Sequence, residues 1–194
     1  MDIEKQDIFP LSRTKNAKGT RRLAREKVLQ IISAIEVSDI PFDQIFNHIF
    51  FRKFNFGDFE QTSDKLLTPD EIYELESDIP IIWDDSEVEF AKSLIHHTMA
   101  LKSFANELIE KYADNWELER IINVERILIS IAVAELLYCE EIPIKVSINE
   151  AIELGKKYST VKSGGFINGI LDQIAIQLKN EDKIHKTGRG LQEE

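Results

Sequence analysis

The chain of 194 residues carries one cysteine, Cys139, so it closes no disulfide within itself. One thiol also falls short of the clustered cysteines and histidines that hold zinc, and His96 and His97, adjacent on a helical pattern, project in different directions. No run of 18 apolar residues occurs and no apolar segment follows a basic start. Neither a membrane-spanning helix nor a secretory leader is therefore expected, and the protein is expected in the cytoplasm with no membrane partner. No segment alternates polar and apolar residues convincingly, which argues against strands. Gly164, Gly165 and Gly169 do not form a phosphate loop, because no Gly-Lys-Ser/Thr follows a strand. Lys186-Thr187-Gly188 and Ser159-Thr160-Val161-Lys162 match two boxes of penicillin-recognising serine enzymes, but in the opposite chain order, and count as chance. With no nucleophile beside a base and no ligand spacing, the chain reads as a non-enzyme with no cofactor or metal.

The formal charge is −11, yet its distribution matters more than its sum. From Asp58 to Phe90 there are twelve acidic residues and one basic, Lys65, which leaves 23 of each sign in the rest of the chain. From Leu11 to Lys27 there are seven basic residues against one acidic, Glu26. Screening over about 8 Å hides a distant acidic segment from such a patch. Net acidity does not veto an anionic partner.

What is present is helical periodicity. Residues 1–19 are expected to be a mobile basic arm, residues 20–179 a single helical domain, and residues 180–194 a polar tail that frays beyond Lys179. Thr20 can cap a helix from Arg21, with Ala24, Val28, Ile31, Ile32 and Ile35 on one face. Pro41 suits the start of a second helix. An acidic, phenylalanine-rich insert spans about 42–85; its phenylalanines from Phe42 to Phe59 read as core or subunit interface, the role of its acidic part stays open, and a short acidic helix is expected from Thr68 to about Glu76. One long helix is expected from Asp85 to Tyr112, then a short piece from Trp116 to Ile122, and Asn123 can cap the next helix. Ile127 to Tyr138 is apolar except for Ser130 and Glu135, the pattern of a helix buried on all sides, and Cys139 reads as a small core residue. Pro143 then makes a turn, and Ser147-Ile148-Asn149-Glu150 reads as a capping box opening a helix to Tyr158. A last helix capped by Ser163 carries Phe166, Ile170, Leu171, Ile174 and Leu178, and Gly165 and Gly169 would let it approach a neighbour closely. The fold class is all-α, a single-domain helical bundle of about seven helices.

Two basic elements remain once the core is assigned. Arg21, Arg22, Arg25 and Lys27 crowd the amino end of the first helix, where cations oppose the helix dipole by about 0.3–1 kcal/mol each. Lys156, Lys157 and Lys162 surround the loop before the last helix, where backbone N–H groups of Gly164 and Gly165 can hold a phosphate. Tyr158 and Phe166 flank that loop and can stack on bases, although Phe166 serves equally as a core anchor.

The strings VERILISIAVAELLY, IPIKVSINEAIELGKKY and KSGGFINGILD, in that order, closely resemble the NusB family of bacterial transcription antitermination factors. The resemblance implies a non-catalytic protein that binds the single-stranded RNA element boxA of ribosomal leader transcripts, with the ribosomal protein NusE and the elongating RNA polymerase complex as partners. It places RNA contacts on Arg21, Arg22 and Arg25, with Leu23 standing where the family has a further arginine and Lys27 available to compensate. It also places them on Lys162, Ser163, Gly164, Gly165 and Phe166, and assigns Glu125 to the NusE contact; alone, Glu125 reads as a favourable charge in a first helical turn. Monomers and homodimers both fit. Two other readings stay open: a protein-binding helical scaffold, and an accessory RNA-binding module related to those of ribosomal-RNA methyltransferases.

Overall fold

The structure, a computed structural model, describes residues 17–51, 81–113 and 120–192. The arm before Ala17, the acidic helix from Thr68 and most of the piece from Trp116 lie outside them. The described residues form seven α-helices: α1 (Arg21–Val37), α2 (Phe42–Phe51), α3 (Asp85–Ala100), α4 (Lys102–Tyr112), α5 (Asn123–Tyr138), α6 (Ile144–Tyr158) and α7 (Ser163–Asn180). The all-α bundle expected from periodicity is the observed architecture. Every residue from Ile127 to Leu136 of α5 is buried, and α1, α3, α4, α6 and α7 all pack on it. An apolar run with no polar face can only be accommodated that way.

Thr20 caps α1 as expected, its hydroxyl accepting the Leu23 N–H at 3.2 Å. Ala24, Val28, Ile31 and Ile32 are buried beneath it. Elsewhere the local signals misled. The helix expected from Asp85 to Tyr112 breaks at Leu101, whose backbone sits at φ −91°, ψ 4°. A break of one residue leaves the apolar stripe in phase on both sides, so periodicity cannot reveal it. The capping box at Ser147 is not one: α6 begins at Ile144, with Pro143 in extended geometry before it. Proline presets that geometry, and Ser147, a turn further in, is free for another task. Ser163 does not cap α7 either; it is the first helical residue, and its hydroxyl accepts the Thr160 N–H at 2.9 Å, closing the preceding loop. Asn123 likewise is the first residue of α5 rather than its cap.

Gly165 and Gly169 face open space, with nothing within 4 Å of where a Cβ would stand. The close helix approach lies instead at Gly155, where a Cβ would collide with Ile167 Cδ1.

Both ends of the chain differ from expectation. Ala17–Lys18 (β1) pairs in parallel with Ile81–Ile82 (β2), and the Gly19 N–H donates to Ile82 O at 2.7 Å, so these last residues assigned to the arm belong to the fold. Two-residue strands are too short to show alternation. The tail does not fray after Lys179. The Lys186 ammonium donates to the carbonyls of Cys139 at 2.8 Å and Glu135 at 3.3 Å, a cation at the carboxyl end of α5 where the helix dipole favours one. Thr187 N–H donates to Glu140 O at 3.0 Å. Gly190 packs on the same carbonyl, leaving no room for a Cβ. Cys139 is half-buried beside this junction, and burial pushes its thiol up to about 12, so it stays protonated and unreactive.

Candidate nucleic-acid interface

Long side chains from the amino half of α1 reach across to α6, and ion pairs link the two helices. Arg22 donates to Glu150 through Nη2 at 2.7 Å and through Nε at 3.1 and 3.2 Å. One turn along α1, Glu26 accepts from Lys157 Nζ at 2.9 and 3.0 Å and from the Tyr158 hydroxyl. One turn further, the Gln30 amide donates to the Tyr158 oxygen at 3.4 Å. Residues 22, 26 and 30 share one stripe of α1 because they recur every four residues.

The electrostatics follow from these contacts. Burial alone would raise the Glu26 carboxyl, but the hydrogen bonds from Tyr158 and Lys157 outweigh it and hold the carboxyl below its usual range. Burial and the same carboxylate raise the Tyr158 phenol, so it stays a neutral donor. Lys157 is raised by its bond to Glu26 and keeps its charge.

The loop before α7 closes on the end of this seam. A Cβ at Gly164 would lie 3.1 Å from Lys156 Cε and 3.2 Å from its Cγ, so the lysine stem lies across the start of α7. Ser163 and Gly164 are buried, whereas Lys162 and Gly165 are exposed. Phe166 is half-buried against the core and serves at least partly as an anchor. Ion pairs thus link α1 to α6 at Arg22–Glu150 and at Glu26–Lys157, and the Lys156 stem lies against the loop that carries Lys162. The two basic elements, far apart in sequence, share one edge.

Two expected site residues stand elsewhere. Arg25 is only 4% exposed, and its Nε and Nη2 each lie 2.7 Å from an oxygen of Glu135, itself 1% exposed. Ser147 donates to the same carboxylate at 2.7 Å, and Glu150 approaches Arg25 at 3.9 Å. This arginine is a core residue tying α1 to α5, and its guanidinium is committed there. Glu125 is 6% exposed in the first turn of α5, with the Ser159 hydroxyl at 3.4 Å, and has little surface to offer a partner. Arg21 stacks on Phe90 with its guanidinium carbon 4.2 Å from the ring centre, and Lys27 donates to Gln30 at 3.2 Å.

Reading the sequence for cations missed the carboxylates Glu26, Glu150 and Glu153, the last bound to Lys156 at 2.7 Å. Four-residue spacing points to pairs of Arg22 with Glu26 and of Glu153 with Lys157, whereas Arg22 binds Glu150 and Lys157 binds Glu26 across the two helices. Val161, next to Lys162, is 96% exposed. Chemically, the edge offers ammonium and guanidinium groups for an anion and a fixed phenol ring for stacking. No group of metal-binding side chains occurs among the described residues, and none of their helices is long and apolar enough to cross a membrane.

Comparison with known proteins gives a consistent result. The NusB family model matches residues 22–176. The transcription antitermination protein NusB of Salinibacter ruber is 39% identical over 173 residues, which span 89% of this chain and 91% of that protein. The protein of the same name from Thermodesulfovibrio yellowstonii is 37% identical over 162 residues, 80% of this chain and 91% of its own length. Among solved structures, T. maritima NusB superposes with a TM-score of 0.61 at 30% identity, covering 86% of this chain and 97% of that one. A complex of antitermination factors NusB and NusE with double-stranded RNA contains a chain with the same fold, at a TM-score of 0.54 and 20% identity over 81% of this chain and 96% of that one. On the family match and the identity to curated relatives along most of its length, the chain belongs to the NusB family.

Proposed function

We propose that the protein binds boxA-like single-stranded RNA of ribosomal leader transcripts along the α1–α6 edge, together with the ribosomal protein NusE. The RNA–protein unit then joins the elongating RNA polymerase in the cytoplasm. The family is one of non-catalytic antitermination factors, so the task is binding rather than chemistry. The observation that supports the reading is that α6 borders both basic elements, through Arg22 on Glu150, Lys157 on Glu26 and the Lys156 stem beside the Lys162 loop. In the proposed complex Arg21, Arg22, Lys27, Lys156, Lys157 and Lys162 meet phosphates, and the backbone at Gly165 can approach one closely. Tyr158, held by Glu26 and Gln30, supplies a stacking surface at low entropic cost because its ring is already fixed. Arg25 acts from beneath by tying α1 to α5, and Ser163 and Gly164 by fixing the start of α7.

NusE would add surface beside the RNA, so that the pair holds RNA more tightly than either protein alone. Titrating labelled boxA-like RNA with the protein, with NusE and with both tests this. The expected result is at least a tenfold tighter midpoint for the mixture, about 1.4 kcal/mol of coupling. Midpoints unchanged by mixing would contradict the cooperative unit. In sedimentation, a tight homodimer that hides Arg22 would favour the scaffold reading instead.

A further inference from the structure

On the α1–α6 edge, the exposed cations hold carboxylates of the same chain. Side-chain exposure is 63% for Arg22 against 14% for its partner Glu150. It is 57% for Lys157 against 16% for Glu26, and 54% for Lys156 against 53% for Glu153. In two of the three pairs the carboxylate lies beneath the cation, so it cannot leave while the helix stands. The cation can swing outward to another anion. Glu26 is further saturated by the Tyr158 hydroxyl, which leaves it little capacity to accept from a base. The Glu153 carboxyl is held below its usual range by Lys156, so its charge is present at neutral pH.

We propose that Glu26, Glu150 and Glu153 are built-in counterions that compete with RNA phosphate for Arg22, Lys157 and Lys156, and so restrain the affinity of this face. The inference rests on the RNA-binding function proposed for the edge. A strand offering phosphate alone must displace a carboxylate at each cation and gains little, because one ion pair replaces another. A strand that also stacks a base on Tyr158, over whose ring the Lys157 ammonium lies at 5.1 Å, gains a contact that phosphate alone does not offer. Phosphate-only binding, the sequence-independent part of RNA affinity, is thereby kept weak. The arrangement also lets a protein of net charge −11 present a cationic edge without collecting every nucleic acid it meets.

The test uses the full chain with Glu153→Gln, Glu26→Gln and Arg22→Ala, titrated against boxA-like RNA and against a scrambled strand of equal length and composition. Glu153 is exposed and packs nothing, so its variant keeps the fold, and thermal melting checks the Glu26 variant. Each glutamine substitution should tighten binding of the scrambled strand by about two- to fivefold. The gain should shrink as salt rises and charges are screened. Arg22→Ala should weaken both RNAs. If Arg22→Ala weakens binding but neither glutamine variant tightens it, the carboxylates only position the cations and the inference fails alone. If Arg22→Ala changes nothing, the RNA face itself is misplaced.

Discussion

Arg25→Ala is expected to destabilise the protein by about 3–5 kcal/mol while removing no RNA contact. The guanidinium and the Glu135 carboxylate are both nearly sealed from water, and each carboxylate oxygen lies 2.7 Å from an arginine nitrogen. Taking away the arginine leaves a buried carboxylate with the Ser147 hydroxyl as its closest remaining donor. Desolvation is then no longer offset, and the unpaired charge dominates the loss. A chain of this length should melt about 10 °C lower. The double change Arg25→Met with Glu135→Leu should recover most of the loss, because a buried ion pair is often equalled by apolar side chains of similar volume. Thermal unfolding of the single and double variants beside the parent chain checks this. If Arg25→Ala leaves the melting temperature unchanged but weakens RNA, the arginine is a phosphate contact and not a core tie.

The second large effect is on binding. Changing Arg22, Lys157 and Lys162 together to alanine should weaken boxA-like RNA by about 10- to 100-fold near physiological salt. It should also flatten the slope of log affinity against log salt by about 2, since each phosphate contact to a single strand contributes about 0.7. The fold should be kept. Glu150 retains Arg25 at 3.9 Å, and Glu26 retains the Tyr158 hydroxyl. Fluorescence titrations at several salt concentrations separate the two effects. A weaker affinity with an unchanged slope would point to lost structure rather than lost phosphate contacts.

Features stated by composition and period over many residues were legible in the sequence. The buried character of α5 and the inner face of α1 both follow from apolar spacing that tertiary context had no reason to override. Signals resting on one or two residues were less secure. Ser147 and Ser163 each have the residue types of a helix start, but proline already sets the entry to α6, and a loop needed closing before α7. Ser147 turns instead to Glu135 on α5, a partner that no local window contains. The tail misled for the same reason: Lys186 is polar in sequence yet half-buried, because its ammonium reaches carbonyls at the end of α5 that no local window contains.

The site divided along similar lines. That Arg22 and the Lys162 loop are basic is plain from the sequence, and the resemblance assigns RNA contacts to both, while the ion pairs between α1 and α6 show how the first is tied to the helix that leads to the second. That Arg25 turns inward was not legible. It lies three residues from Arg22 on a helix, about 60° away around the axis, and only the position of Glu135 on α5 decides which arginine is buried. The carboxylates of the face were hidden by counting cations alone.

The claim on which the rest depends is that RNA lies on the α1–α6 edge, and amide chemical-shift mapping with boxA-like RNA tests it most directly. The expected result is that the largest shifts fall at residues 21–30 and 156–166. A second groove, lined by Lys145, Lys179 and Lys186 between α6, α7 and the tail, also carries cations. Shifts concentrated there, with residues 21–30 unmoved, would contradict the assignment.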